Sequence, residues 1–289
     1  MKRIYVIIFI TLNLLMLSAC GGSSETLDEG KKMQVPPISV QLWSVKHTLE
    51  ADFEGTLKQI AEMGFSGVEF AGFYGQYAED PQGLKAFLAS IGLQPSGAHV
   101  GINHLRGDEL TKTLTFLKAL GVDLVIIPAD SRAWEADGIK SLAAEVTELS
   151  KTLAKMDMTI GYHNHDKEFD DYNNSTFWDY LAQNTPDNVL LQLDVGWVNY
   201  AGKDPIEYVK RYQGRTLTTH YKVRTHEGSD KSPIIGEDGY DWASLIKVNA
   251  EFGGTLWLVV EQEEYPEGLT PMQSVAKSKQ GLDKFIQQL

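Results

Sequence analysis

The stretch Val189-Leu190-Leu191-Gln192-Leu193-Asp194-Val195-Gly196 decides the fold. It is apolar on both faces except at two positions, Gln192 and Asp194. Side chains alternate across a strand, so these two share one face while Leu191, Leu193 and Val195 share the other. A short segment this apolar reads as a strand of a parallel sheet buried on both sides. Polar groups inside such a strand are costly, so each one carries information.

Working outward, similar apolar runs occur at 38–43, 67–71, 94–100, 124–128, 159–165, 217–222 and 256–261. Amphipathic stretches separate them at 53–63, 84–91, 110–120, 139–156, 176–181, 205–212, 242–252 and 272–289. Three of these stretches run into Gly64, Gly92 and Gly121, the expected left-handed helix stops. Eight strand–helix units in about 250 residues predict an α/β chain folded as a single (β/α)8 TIM barrel. A doubly wound open sheet would place a glycine-rich dinucleotide loop after its first strand, where Gln41-Leu42-Trp43-Ser44 stands instead.

The N-terminus reads as an address. Lys2 and Arg3 precede an apolar run that ends in Leu17-Ser18-Ala19-Cys20. That tetrapeptide resembles the lipobox of bacterial lipoproteins, and Cys20 is the only cysteine in the chain. The run is shorter than the ~20 residues a spanning helix needs. The expected organisation is a signal peptide over 1–19, lipidation at Cys20, a polar tether over 20–36 and the barrel over 37–289. The expected location is a bacterial cell envelope, with the membrane touched only through the lipid. Without Cys20 there is no thiol for a disulfide or a thiolate metal site.

The chain has 289 residues, 26 basic and 39 acidic, for a formal charge of −13. That excess repels phosphate backbones and argues against nucleic acid as a partner. A hydrophobic fraction of 43% excludes a disordered chain.

With Asp194 turned into the barrel, alternation turns several other polar residues toward the same axis. They are Gln41, Glu69, His99, His163 with His165, His220 with Lys222, and Glu261 with Glu263. Only the fourth strand, ending Ile126-Ile127-Pro128, offers none. All lie at or near C-terminal strand ends, where this fold keeps its active sites. His163, Asp194, His220 and Glu261 come from four consecutive strands. A nitrogen and oxygen set without sulfur suits a divalent Mn, Mg, Zn or Co ion.

At these residues the sequence resembles the xylose isomerase-like barrels of the sugar phosphate isomerase/epimerase group. Relatives of that group include tagatose-type 3-epimerases, inosose dehydratase and endonuclease IV. The resemblance rests on Gln41-Leu42-Trp43-Ser44-Val45, Gly67-Val68-Glu69, Gly161-Tyr162-His163-Asn164-His165-Asp166 with Glu168-Phe169, and Leu193-Asp194-Val195-Gly196-Trp197. It continues through Gly202-Lys203-Asp204-Pro205, His220-Tyr221-Lys222, Gly236-Glu237-Asp238-Gly239 with Asp241-Trp242, and Val260-Glu261. It implies a divalent metal held from strands five to eight, and Asp194, His220 and Glu261 match the last three ligands. The epimerases typically carry Glu at the strand-five position, where this chain has His163.

The expected activity is metal-assisted removal of a proton next to a sugar carbonyl, through an enediolate. Glu261, His163, His165 and Lys222 are the candidate catalytic groups. Glu69, His99, Trp197 and Glu168 are the candidate sugar contacts, and the partner is a small carbohydrate. Epimerisation, isomerisation and dehydration or glycoside elimination all share that intermediate. Export and the lack of a Walker-type phosphate loop point to an unphosphorylated sugar, keto-sugar or oxidised glycoside such as a 3-keto-glycoside. A carbohydrate-binding lipoprotein without chemistry is the reading from a different class.

Overall fold

A computed structural model describes residues 33–289. The expected signal peptide, Cys20 and most of the tether lie outside the described residues. The barrel strands are β1 (Ile38–Gln41), β2 (Gly67–Phe70), β3 (Gln94–His99), β4 (Leu124–Ile127), β5 (Thr159–His163), β6 (Leu190–Asp194), β7 (Thr218–Tyr221) and β8 (Trp257–Val260). They form a closed parallel barrel in chain order, with β1 pairing β8 through Ile38–Leu258 and Val40–Val260. The fold is an α/β TIM barrel.

The outer helices are α1 (Phe53–Glu62), α2 (Pro81–Ser90), α3 (Gly107–Leu120), α4 (Gly138–Ala154), α5 (Phe177–Gln183), α6 (Pro205–Arg211), α7 (Trp242–Val248) and α8 (Pro271–Ile286). Their starts are chemically marked. Asp52, Asp80, Asp204 and Asp241 each accept a backbone N–H of the first turn, and Thr270 with Gln273 forms a capping box. The three expected glycine stops all have positive φ, 83° at Gly64, 78° at Gly92 and 96° at Gly121. A short helix at Lys46–Ala51 precedes α1, and another, Val195–Tyr200, follows β6 directly.

Several strands end earlier than their apolar runs suggest. β1 stops at Gln41 and turns through Leu42–Val45, β5 stops at His163, and β8 stops at Val260. Alternation therefore does not reach His165 or Glu263, which belong to the loops. The apolar run continues past the strand because the mouth loops also pack inward, as buried Leu42 and Val45 do.

Side chains facing the helices build the main core, among them Val40, Val68, Val125, Ile127, Tyr162, Leu191, Leu193, Tyr221, Leu258 and Val260. The interior carries a smaller apolar group of Leu124, Ile126 and Leu190. Barrel interiors are ordinarily filled with branched apolar side chains. Here much of the remaining interior is polar and buried: Ser39, Gln41, Glu69, Ser96, Gln192, Thr218 and His220. The β2–β3 register shifts at Val68/Glu69, which pairs Glu69 with Gly97. A Cβ on Gly97 would lie 3.2 Å from Glu69 Oε2, so glycine makes room for that carboxylate.

Candidate metal centre

His163, Asp194, His220 and Glu261 each offer one ligand atom, and the four atoms lie within 4.8 Å of one another. All four residues are buried. Strand register explains the meeting. His163 pairs with Gln192, Asp194 with His220, and His220 with Val259, which steps the four donors around one end of the barrel.

The groups beneath hold the donors in place, and Gln192 shows how. Its Nε2 donates to Glu69 Oε2 at 2.7 Å and to Thr218 Oγ1 at 2.8 Å. Its Oε1 must therefore accept from His163 Nδ1 at 3.0 Å and His99 Nε2 at 2.7 Å. His163 thus carries its proton on Nδ1 and turns Nε2 toward Asp194 Oδ2, 3.6 Å away. Burial, and then the rings of His220 and His99, push His163 well below the ordinary histidine range, so it stays neutral.

His220 is clamped between two carboxylates. Its Nε2 lies 2.6 Å from Glu69 Oε1 and its Nδ1 lies 2.9 Å from Glu261 Oε2. Burial works against its charge, but Glu69 and Glu261 prevail and raise it to about 10. Gln41 Nε2 also donates to Glu69 Oε1 at 2.7 Å. Glu69 is therefore a fully engaged buried anion under the histidines. An imidazole whose far nitrogen is fixed by a carboxylate or amide is the usual outer support of a metal-binding histidine.

Asp194 is fixed at one oxygen only. Its Oδ1 accepts the Trp197 backbone N–H at 3.1 Å, while Oδ2 is buried and accepts no hydrogen bond. Lys222 Nζ stands 3.3 Å from that oxygen without hydrogen-bond geometry. Burial lifts the Asp194 carboxyl to about 6, against the pull of Lys222. Burial would lift Glu261 too, but Lys222 and His220 hold it well below the carboxylate range. The two acids differ because only Glu261 receives hydrogen bonds from both cations. Asn164 locks the corner, accepting the Asp194 N–H at 2.9 Å and donating to its carbonyl at 3.3 Å.

The donor set fits a divalent cation. The neutral His163, His220 and two carboxylates converge, one oxygen has no hydrogen-bond donor, and the ligand charge would be −2 once His220 yields its Nδ1 proton. Lys222 pairs with Asp194, Glu261 and Glu263 and supplies positive charge at the same spot. Burial opposes its charge, but those three acids hold it above the ordinary lysine range.

The other expected contacts fall in different places. His99 and His165 line the main cavity with His163, Lys222, Glu261 and Glu263. The His165 ring lies 5.1 Å from that of His163. Glu69, expected to touch sugar, is fully buried and faces the histidines instead. Glu168 is also buried; it accepts from the Tyr162 hydroxyl at 2.9 Å and the His165 N–H at 2.9 Å. Its place corrects the expectation of a direct sugar contact to that of a brace on the His165 loop. Trp197 is a shelf beside the cavity rather than its wall. Arg224 lies 4.5 Å from its ring centre, Lys222 5.1 Å, and the His165 ring 5.4 Å.

The cavity has a volume of about 910 Å³. Its far wall includes Tyr74 and Phe116, with ring centres 4.7 Å apart. The α3 residues of that wall were missed in the sequence because they sit on an outer helix, where an apolar side chain reads as ordinary packing.

A family model described as xylose isomerase-like TIM barrel matches residues 57–288. An inosose dehydratase of Lacticaseibacillus casei is 23% identical over 278 residues, covering 81% of this chain and 90% of that protein. A crystal structure of a sugar phosphate isomerase/epimerase from Parabacteroides distasonis superposes with a TM-score of 0.71 at 22% identity, covering 89% of this chain and 97% of that one. A D-psicose 3-epimerase from Clostridium cellulolyticum superposes with a TM-score of 0.62 at 17% identity, covering 87% and 98%. At such identities the superpositions speak to the fold alone, whereas the family match spans most of the sequence. The barrel with its four-donor mouth and the family match converge: the chain belongs to the xylose isomerase-like TIM barrel family.

Proposed function

We propose that the protein is a metal-dependent sugar isomerase or epimerase that removes a proton from the carbon beside a carbonyl of an unphosphorylated sugar or keto-sugar. The convergence of His163, Asp194, His220 and Glu261 at the mouth carries this reading. A divalent cation bound there would supply Lewis acidity toward a substrate oxygen.

Glu261 is the base. Its Oε2 accepts from His220 and Lys222, while Oε1 accepts no hydrogen bond from the described residues. Its depressed pKa keeps it ionised at neutral pH but makes it a weak base. Abstraction then depends on acidifying the C–H bond, and the Lys222 ammonium helps by facing the developing oxyanion. His165 is held below the ordinary histidine range by burial and by Lys222, so its neutral ring can exchange a proton from the cavity side.

The cavity's charge supports the unphosphorylated substrate. Its described lining includes Glu79, Glu109, Glu261 and Glu263 against Lys112 and Lys222. Both lysines are already paired, Lys112 with Glu109 at 2.9 Å. A phosphate would meet excess negative charge.

A second reading, elimination by a lyase or dehydratase, has its own support. Epimerisation draws on a base on each face, and His163, with Nδ1 tied to Gln192, replaces the strand-five Glu of the resemblance. One carboxylate base with a proton donor at the leaving group suffices for elimination. The inosose dehydratase relatives fit this outcome.

The test is proton exchange from ketoses and keto-glycosides in D₂O, followed by NMR with Mn²⁺, Co²⁺, Zn²⁺ or Mg²⁺ supplied. Deuterium should enter at the carbon beside the carbonyl, with epimer, isomer or unsaturated product identifying the outcome. Sugar binding without any exchange would leave a non-catalytic carbohydrate-binding protein instead.

A further inference from the structure

The cavity is larger than the reaction needs. Pockets of ~300–1,000 Å³ hold drug-sized ligands, and this one has about 910 Å³. A single sugar ring fills roughly 200 Å³, the share of six or seven waters at ~30 Å³ each. The cavity is continuous from His163, Lys222 and Glu261 to the loops after β2 and β3 and to α3. The two ends differ in chemistry. Imidazoles, carboxylates and Lys222 line the donor end, whereas Tyr74, Val100, Phe116, Leu117 and Pro128 line the far end. Beyond them the lining turns polar again, with Glu79, His104, Glu109, Lys112 and Thr113.

Resting on the function proposed above, we infer that the substrate is a glycoside of a keto-sugar: a ring carrying the ketone at the donor cluster, with a second, ring-sized group on its anomeric oxygen that packs into the apolar arm against the paired Tyr74 and Phe116 rings. The arm's aromatic wall suits a flat apolar face, which an aryl ring or one side of a second sugar presents. No phosphate or carboxylate is called for in the arm, because its cation, Lys112, is matched by Glu109 at 2.9 Å. A free monosaccharide would leave the arm to water and forgo the apolar contact.

Two measurements separate this inference from the proposed chemistry. The first compares each sugar that carries a ring ketone and exchanges in D₂O with its own methyl and p-nitrophenyl glycosides, which keep that ketone when the anomeric carbon becomes an acetal. The p-nitrophenyl form should have kcat/KM about tenfold or more above the free sugar. Equal values would overturn the inference and leave the chemistry standing. The second needs no turnover: ligand-observed NMR of the Zn²⁺-supplied protein with p-nitrophenyl and methyl glycosides of glucose, galactose and xylose. The p-nitrophenyl forms should bind about tenfold tighter, and Thr113→Trp, which plugs the arm, should erase the difference. Phe116→Ala, which removes one wall, is the second variant, with metal content and circular dichroism as folding controls. No preference for the p-nitrophenyl forms overturns the arm, and so does a preference that survives both variants. Preferential binding without proton exchange keeps the arm and removes the chemistry.

Discussion

On the β5–β8 side of the mouth the chain places two imidazoles, two carboxylates and an ammonium within contact of one another. On the β1–β4 side, Gln41 and Glu69 stay beneath the cavity, β4 contributes only apolar side chains, and the loops open into an aromatic arm. One half concentrates charge, and the other supplies support and volume. A buried charge cluster is tolerable only if each member has a partner, so it demands dense packing at one place. Substrate volume demands the opposite, and the barrel meets both by dividing its circumference.

The sharpest way to break this division is Asp194→Asn. It removes a negative charge and the oxygen without a hydrogen-bond donor, so divalent metal should no longer co-purify and turnover should fall beyond the ~10–100-fold typical of outer-support changes. Elemental analysis with steady-state kinetics reads both, and full metal retention would refute the assignment.

The next effect is on stability. Burial raises Glu168 from about 4.5 to about 7, despite bonds from Tyr162 and the His165 loop. A raised carboxyl pKa means the folded state holds the proton more tightly. Its contribution is complete below about pH 4.5 and is lost as pH rises through 7, with a ceiling of about 3 kcal/mol. Glu168→Gln preserves the neutral shape, with its amide donating to Tyr162 and its carbonyl accepting from His165. The variant's Tm should therefore fall less than the parent's between pH 5 and 8. Parallel curves would show that Glu168 does not titrate as described.

Glu69→Gln tests the supporting half. It should weaken divalent-metal affinity by ~10–100-fold without removing a ligand, as loss of an outer partner does. Metal loss as complete as in Asp194→Asn would erase the distinction between the two sides. The smallest change runs the other way. Lys222→Met removes a competing positive charge from Asp194 and Glu261, so calorimetry should show divalent affinity rising about tenfold, while turnover drops.

Much of this was legible in the chain. Eight apolar runs with amphipathic spacers located every barrel strand, because strand burial and helix amphipathicity are local, periodic signals. The polar intrusions at His163, Asp194, His220 and Glu261 stood out because apolar strands make them costly. Glu69 was visible by the same logic, but its task was not. Alternation places a side chain on a face and says nothing of depth, so an inward carboxylate under the histidines resembles one that touches sugar. Glu168 was misread for a similar reason, since the turn that folds it back under His165 has no period.

The chain alone determined the eight-fold alternation, the helix caps and the residue types that could serve a cation, since each depends on neighbours a few positions away. Only the closed barrel decided that Gln192 and Glu69 set the histidine protons, that Lys222 shares its charge with Asp194 and Glu261, and that a large apolar arm opens opposite. Those depend on distances between residues up to 151 positions apart, as His220 and Glu69 are. Such distances exist only once the sheet has curled and fixed its register.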